Sequence, residues 1–125
     1  MTFQEFTSLY QYAALQAGVS GAVLRRYQMF SEEVYGEALP ILVDSIITAL
    51  KMSPNKTFYD LGSGLGNVCL QFSCCTGCKS IGVEIRKELH EYAIHMAETM
   101  KTVLSKTHKK MGEVQFHNVC CSHYA

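Results

Sequence analysis

The sequence lacks net charge, long apolar runs, internal repeats and low-complexity segments. Eleven basic residues balance eleven acidic ones, so no overall field would draw the chain to nucleic acid or to an anionic membrane. DNA contact is therefore not supported by net charge. No apolar run approaches the roughly 18 residues of a membrane span, and the N-terminus has neither a basic start nor a hydrophobic signal core. We expect an intracellular protein with no membrane partner.

The composition that is present is that of a globular domain. Apolar residues make up 48% of the chain and charged residues 18%, which is enough apolar material for one core. Six cysteines in a chain without a signal peptide favour a reducing compartment and free thiols over a disulfide framework.

A zinc site is the alternative interpretation of the cysteines. A C-x-x-C pair could be completed by thiols and imidazoles near the C-terminus; the six candidate ligands are Cys75, Cys78, His117, Cys120, Cys121 and His123. In a parallel sheet Cys75 and Cys78 would precede a strand, while Cys120 and Cys121 would follow the end of one. The two groups would then lie about 15 to 20 Å apart, and this separation favours free thiols with no metal.

A glycine-rich stretch, residues 58–67 (FYDLGSGLGN), dominates the sequence. The aromatic residues and Asp60 fit the end of a buried parallel strand, and an apolar helical run follows. Gly62, Gly64 and Gly66 permit positive φ and let the backbone approach a ligand closely. The pattern therefore predicts a strand, a tight turn and a helix whose N-terminal N–H groups can face a ligand. A purely geometric turn is the alternative.

A second acid supports the ligand-binding interpretation. Glu84 lies eighteen residues after Gly66, at the end of the next apolar run, where α/β folds place a ribose-binding carboxylate. We expect Glu84 to accept hydrogen bonds from both ribose hydroxyls, and Asp60 to face the amino-acid part of a cofactor. The spacing is G-x-G-x-G and not the dinucleotide fingerprint G-x-G-x-x-G, which disfavours a nicotinamide-dependent oxidoreductase. The pattern resembles S-adenosylmethionine-dependent methyltransferases.

Periodicity predicts the order of the remaining elements. A helix with a capping-box spacing is expected from Thr2 to Gly18, a short helix over residues 20–27, a loop over 31–37 and a helix from about Glu37 to Pro54. Strands are expected over residues 57–61, 80–84 and 113–119, separated by a helix that Gly77 ends and by a long amphipathic helix. Right-handed crossovers would make the three strands parallel neighbours.

The two segments YQMFSEEVYGE and FYDLGSGLGNVCLQFSCCTGCKSIGVE together resemble the Dot-one (disruptor of telomeric silencing) family of non-SET histone-lysine methyltransferases. The similarity covers residues 27–119. It implies an α/β fold with N-terminal helices followed by the first half, three parallel strands, of a Rossmann-like class I methyltransferase sheet. Residues 1–36 would form the N-terminal helices and a cofactor-capping loop, and residues 37–125 a partial S-adenosylmethionine-binding core.

The resemblance also implies a set of site residues. A loop at residues 35–38 would reach over the methionine end of S-adenosyl-L-methionine, while residues 58–67 and Glu84 would hold its backbone and ribose. The expected cofactor-binding residues are Tyr35, Gly36, Glu37, Ala38, Phe58, Asp60, Leu61, Gly62, Ser63, Gly64, Gly66, Asn67 and Glu84. The implied partner is a histone in the nucleosome, the implied location is the nucleus, and the catalytic residues remain unidentified.

The sequence departs from the family after the third strand. Cys120 and Cys121 stand where the family has an acid-aromatic pair that binds adenine, and the family's later Asn-Asn-Phe-type segment has no counterpart. A truncated, catalytically silent cofactor-binding fragment or interaction module is therefore the alternative to an active enzyme. We expect little nucleosome methylation by this chain, and self-association through an exposed sheet edge carrying Val114, Phe116 and Val119.

Overall fold

The structure, a computed structural model, describes residues 1–18 and 40–123. These residues form four α-helices and three strands, in the order α1 Phe3–Gln16, α2 Pro40–Leu50, β1 Thr57–Leu61, α3 Asn67–Thr76, β2 Lys79–Val83, α4 Lys87–Leu104 and β3 Val114–His117. A short 3-10 turn, Cys121–His123, follows β3. The succession confirms the predicted alternation of strands and helices after the N-terminal helical region.

Several predictions from the sequence fall on residues that the structure does not describe. These are the short helix at residues 20–27, the loop at 31–37, the capping residues 35–38 and the domain boundary between residues 36 and 37.

Local signals place the helix ends where expected. The Oγ1 atom of Thr2 accepts a hydrogen bond from the backbone N–H of Glu5 at 3.1 Å, which satisfies one of the unpaired donors of α1. At the end of α3, Gly77 has a φ of 74° and its N–H donates to the Ser73 carbonyl oxygen. A residue with a side chain would be strained in this left-handed conformation, so glycine ends the helix there.

Three predicted elements need corrected boundaries. Helix α2 ends at Leu50 and not near Pro54, because the Lys56 Nζ atom donates to the carbonyl oxygens of Leu50 and Lys51 and thereby caps the helix. Strand β2 covers Lys79–Val83, one residue earlier at each end than the predicted 80–84. Strand β3 is shorter than the predicted 113–119 and covers only Val114–His117.

The three strands form one parallel sheet in the order β1-β2-β3. Asp60 pairs in register with Gly82, and Gly82 pairs with Phe116, so these residues share one face of the sheet. The crossover helices α3 and α4 follow β1 and β2, and right-handed crossovers put both helices on the same face. The carboxyl ends of the three parallel strands lie at one edge of the sheet, next to the loops that carry the candidate site residues.

The core lies between this helical face and the sheet. The rings of Phe58 and Phe72 stack with centroids 3.7 Å apart and an angle of 8° between their planes. A second group of buried residues joins α1, α3, α4 and β3 and includes Leu70, Met96 and Met100. The apolar stripe predicted on α4 is thus its buried face.

One prediction about exposure is wrong. Val114 was expected on an exposed edge but is buried in the core, because β3 packs against both α3 and α4. Phe116 is half-buried, and only Val119 is exposed as expected.

No helix in the described ranges combines the length and the hydropathy that crossing a bilayer requires.

Candidate functional site

The loop between β1 and α3 is fixed to the end of β2 by its own backbone. The N–H groups of Gly62 and Ser63 both donate to the Val83 carbonyl oxygen, at 2.7 and 2.9 Å. The three predicted glycines, Gly62, Gly64 and Gly66, have φ values of 90°, 54° and 81°. Each therefore uses a conformation that side chains disfavour. The tight turn predicted from the glycine spacing is present.

Glu84 closes the loop from the other side. This residue directly follows β2, is 9% exposed, and its two carboxylate oxygens each accept one backbone hydrogen bond. Oε1 accepts from the N–H of Gly64 and Oε2 from the N–H of Arg86, both at 2.9 Å. A carboxylate offers about four acceptor positions, so roughly two remain for a ligand. The sequence predicted that loop and acid would meet, and the structure brings them together.

Asp60 supplies a second carboxylate at the same edge. Burial raises the pKa of Asp60 above its ordinary value, and the nearby Glu84 carboxylate raises it further. Asp60 pairs in register with Gly82, two residues before Glu84, so the two acids lie near each other at the carboxyl ends of β1 and β2. Such a pair favours a ligand that carries positive charge on one part and hydroxyl donors on another.

The base of the loop is packed too closely for larger residues. A Cβ atom added to Gly66 would lie 2.6 Å from the Phe116 ring, and one added to Gly82 would lie 2.7 Å from the side chain of Ser63. Ser63 is 5% exposed, and its Oγ atom has no hydrogen-bond partner in the described part of the chain. Over Gly62 and Gly64, by contrast, an added Cβ would meet nothing within 4 Å. The loop therefore has space on its outer side only.

Three residues contribute to this edge without having been identified from the sequence as site residues. Gly82 and Phe116 determine the packing beneath the loop, and the Asn118 Nδ2 atom donates to the carbonyl oxygens of Glu84 and Ile85 at 3.0 and 3.1 Å. Asn118 falls inside the predicted third strand, residues 113–119, so its position just after β3 was not visible in the sequence. Nothing in the sequence alone pairs Gly82 with Phe116.

The other predicted residues occupy different surroundings. The Phe58 ring lies in the core against Phe72, whereas Leu61 is exposed. Asn67 begins α3 and is half-buried. The predicted residues Tyr35, Gly36, Glu37 and Ala38 lie outside the described residues.

The six candidate zinc ligands do not form a cluster. Within residues 1–18 and 40–123, no three side chains of histidine, cysteine, aspartate or glutamate come close enough to share a metal ion. All six cysteines are free thiols.

A separate groove of about 390 Å³ lies between α1 and α4. It is lined by Tyr12, Gln16, His95, Glu98, Thr99, Thr102, Val103 and Lys106. Apart from Tyr12 and Gln16 on α1, the lining residues run from the middle of α4 to just past its C-terminal end, and an 18-residue helix is about 27 Å long. The groove therefore lies away from the glycine loop, and none of the predicted site residues contributes to it.

Comparison with known proteins agrees with the fold. The family described as "Histone methylation protein DOT1" matches residues 15–121. The chain belongs to this family. Its strands and helices form part of a Rossmann-like class I methyltransferase fold, and an RNA methyltransferase from Salinibacter ruber, solved with S-adenosyl-L-homocysteine, superposes with a TM-score of 0.55 at 23% identity over 66% of this chain and 48% of that one.

Curated relatives are much longer than the present chain. The H3 lysine-79-specific histone-lysine N-methyltransferase of Dictyostelium discoideum is 40% identical over 101 residues, which are 81% of this chain and 6% of that protein. The enzyme of the same name from Yarrowia lipolytica is 37% identical over 89 residues, or 71% of this chain and 17% of that protein. The DOT1 chain described here thus spans a small part of these two relatives.

Proposed function

We propose that this chain is the cofactor-binding part of a DOT1-type histone-lysine methyltransferase that uses S-adenosyl-L-methionine. The observation that carries the proposal is the Glu84 carboxylate, which is held by the Gly64 and Arg86 N–H groups at the carboxyl edge of the sheet. Its two remaining acceptor positions suit the two hydroxyls of a ribose.

The residues at this edge fit such a cofactor. The space over Gly62 and Gly64 allows the ligand to approach the backbone, where a side chain would intrude. Asp60 adds a negative charge beside Glu84 and would attract the positively charged amino-acid end of the ligand. When bound, the cofactor supplies a methyl group carried on a sulfonium. By family resemblance, Tyr35, Gly36, Glu37 and Ala38 reach over the methionine end of the cofactor, and Phe58, Leu61, Ser63, Gly66 and Asn67 belong to the segment that holds its backbone.

The substrate side of the proposal rests on the family. The matched relatives are named for lysine 79 of histone H3. We therefore propose a nucleosomal histone as the substrate of this chain and the nucleus as its location. Methyl transfer requires the lysine amine in its neutral form, although a free lysine has a pKa of about 10.4. An apolar, water-excluding channel favours that form.

Ligand binding tests the cofactor assignment. The melting temperature of the chain should rise with S-adenosyl-L-homocysteine and with S-adenosyl-L-methionine, because a ligand at one hundred times its Kd stabilises the folded state by about 2.7 kcal/mol. NAD serves as the control. A shift with NAD, and none with either adenosyl ligand at millimolar concentration, would overturn the assignment.

A cofactor-binding but catalytically silent module is the second candidate. The favouring observation is that Cys120 and Cys121 follow β3, at the position where the family resemblance implies an adenine-binding acid and aromatic ring. Transfer of a radiolabelled methyl group to nucleosomes separates the two candidates. Binding together with transfer supports the enzyme, whereas binding without transfer, under conditions where a longer family member is active, supports the module.

A further inference from the structure

Helix α3 carries a buried amide. Gln71 is 2% exposed, and the residues on either side of it, Leu70 and Phe72, are buried apolar residues. A buried amide is unfavourable unless its polar atoms are hydrogen-bonded. The Nε2 atom of Gln71 donates to the Pro40 carbonyl oxygen at 2.7 Å. The burial of Gln71 is therefore compensated by a specific contact with the first residue of α2.

This hydrogen bond joins two segments that are far apart in the sequence and lie next to the candidate site. Helix α3 begins at Asn67, directly after the glycine loop, and Gln71 lies about 6 Å further along the helix. In an α-helix that begins at Pro40, the Pro40 oxygen also accepts the Asp44 N–H. The first turn of α2 is therefore held near the start of α3, at the end of that helix which carries the loop.

The packing around this contact is apolar. Val43 of α2 is buried in one cluster with Phe72 of α3, and Val68 packs against this cluster. Apolar contacts are non-directional, so they bring α2 onto α3 without specifying one position along it. A hydrogen bond depends on distance and angle. The Gln71 amide therefore selects the position of α2 at which the Pro40 oxygen is within reach.

We propose that Gln71 is a positioning residue for cofactor binding, which acts through the Pro40 carbonyl oxygen at the beginning of α2. This role rests on the proposed function, in which residues 35–38 reach over the methionine end of the cofactor. Ala38 is two positions before Pro40, so their Cα atoms are within about 8 Å of each other. A fixed Pro40 therefore limits the distance between Ala38 and the glycine loop.

Gln71→Met removes the donor and keeps a side chain of similar length. The affinity for S-adenosyl-L-homocysteine, measured by calorimetry, should fall about three- to tenfold, as expected for the loss of one net hydrogen bond. The reason is that a smaller fraction of the chain would hold the first turn of α2 in the binding position. Methylthioadenosine has the adenosine part of that ligand and lacks its amino-acid end. Its affinity should be unchanged in Gln71→Met.

Lys56→Met is the matched control. Lys56 donates to the carbonyl oxygens of Leu50 and Lys51 at the opposite end of α2, so this variant also loses hydrogen bonds to the helix but keeps its first turn in place. It should bind both ligands as the wild-type chain does. Equal losses for the two ligands in Gln71→Met, an unchanged affinity for S-adenosyl-L-homocysteine, or the same selective loss in Lys56→Met each overturns the positioning role.

Hydrogen exchange of the chain without ligand supplies a second measurement. The Asp44 N–H should exchange faster in Gln71→Met than in the wild-type chain and at an unchanged rate in Lys56→Met, because only the first turn of α2 loses its contact with α3. Unchanged exchange in Gln71→Met overturns the proposal. If the wild-type chain binds neither ligand, the proposed function fails and the role in cofactor binding fails with it, while the exchange rate still decides whether Gln71 holds the beginning of α2.

Discussion

The backbone N–H of Gly64 lies 2.9 Å from the Oε1 atom of Glu84, and this hydrogen bond joins the glycine loop to the end of the second strand. Together with the hydrogen bond from the Arg86 N–H, this contact holds the loop in position in the ligand-free chain. Hydrogen bonds to an ionised acceptor are stronger than neutral ones. Glu84 therefore has a structural role as well as its proposed role in binding.

Glu84→Gln separates these two roles. The amide keeps one acceptor oxygen, so either Gly64 or Arg86 must face an NH2 group. We expect the free energy of unfolding to fall by about 1 to 3 kcal/mol, measured by urea denaturation, and S-adenosyl-L-homocysteine affinity to fall in calorimetry. Glu98→Gln, an exposed acid on α4, is the matched control. Unchanged stability and unchanged affinity would show that Glu84 neither stabilises the loop nor binds the ligand.

A pair of glycine substitutions separates backbone strain from crowding. Gly62 and Gly66 both have positive φ, but only at Gly66 does an added Cβ meet the Phe116 ring and Ala93. Gly62→Ala should destabilise by about 1 to 2 kcal/mol through backbone strain alone. Gly66→Ala should cost about 1 to 3 kcal/mol more because the ring must move.

Urea denaturation of both variants measures the difference, and Phe116→Leu in the Gly66→Ala background tests its cause. Partial recovery of stability in the double variant is expected, since the smaller side chain vacates the position that the new methyl group needs. Equal losses for the two single variants would contradict the close contact with Phe116.

Local features of this fold were predictable from the sequence because each has a short-range cause. The bounds of β1 and the caps at Thr2 and Gly77 follow from residue types within a few positions of one another. The meeting of the glycine loop with Glu84 was also predictable, because parallel strands bring their carboxyl ends to one edge of a sheet.

The packing beneath the loop could not be predicted in the same way. Gly82 and Phe116 are neighbours only because of the strand register, and a shift of one residue would turn Phe116 to the other face. The end of α2 depends on a lysine six residues beyond it. Neither the Gly82–Phe116 pairing nor the Lys56 cap produces a periodic pattern in the sequence.

Strand β1 leads us to expect self-association at a different edge from the one first predicted. In the described part of the chain β1 pairs only with β2, and its Tyr59 and Leu61 side chains are 54% and 59% exposed. Apolar edge strands favour pairing with another chain, and lysine on such an edge opposes it. We therefore expect concentration-dependent association that Tyr59→Lys reduces.

Sedimentation velocity over a range of protein concentrations measures this effect. Leu15→Lys is the control, because Leu15 is also apolar and exposed but lies on α1. An equal reduction by both variants would indicate a general effect of added charge, and association that Tyr59→Lys leaves unchanged would exclude the β1 edge.

Asp60→Asn should stabilise the ligand-free chain at neutral pH. Burial, and then the Glu84 charge, raise the pKa of Asp60 above its ordinary value of 3.8, so the folded state holds this proton more tightly than the unfolded state does. The contribution of Asp60 to stability is therefore complete below pH 3.8 and is lost as the pH rises through the folded-state pKa. The ionised carboxylate is thus unfavourable for folding at pH 7, and the neutral amide removes that penalty.

Urea midpoints at pH 7 and pH 3.5 test this sign, with Asp44→Asn on α2 as the control for lost negative charge. The gain in stability from Asp60→Asn should be present at pH 7 and should shrink at pH 3.5, where the wild-type carboxyl is largely protonated.

The affinity of Asp60→Asn for the ligand should fall, because the amide no longer attracts a cation. If Asp60 faces the ammonium group, which S-adenosyl-L-methionine and S-adenosyl-L-homocysteine share, both ligands lose affinity equally. A larger loss for S-adenosyl-L-methionine would instead place the carboxylate near the sulfonium, and a less stable variant at pH 7 would contradict the burial penalty itself.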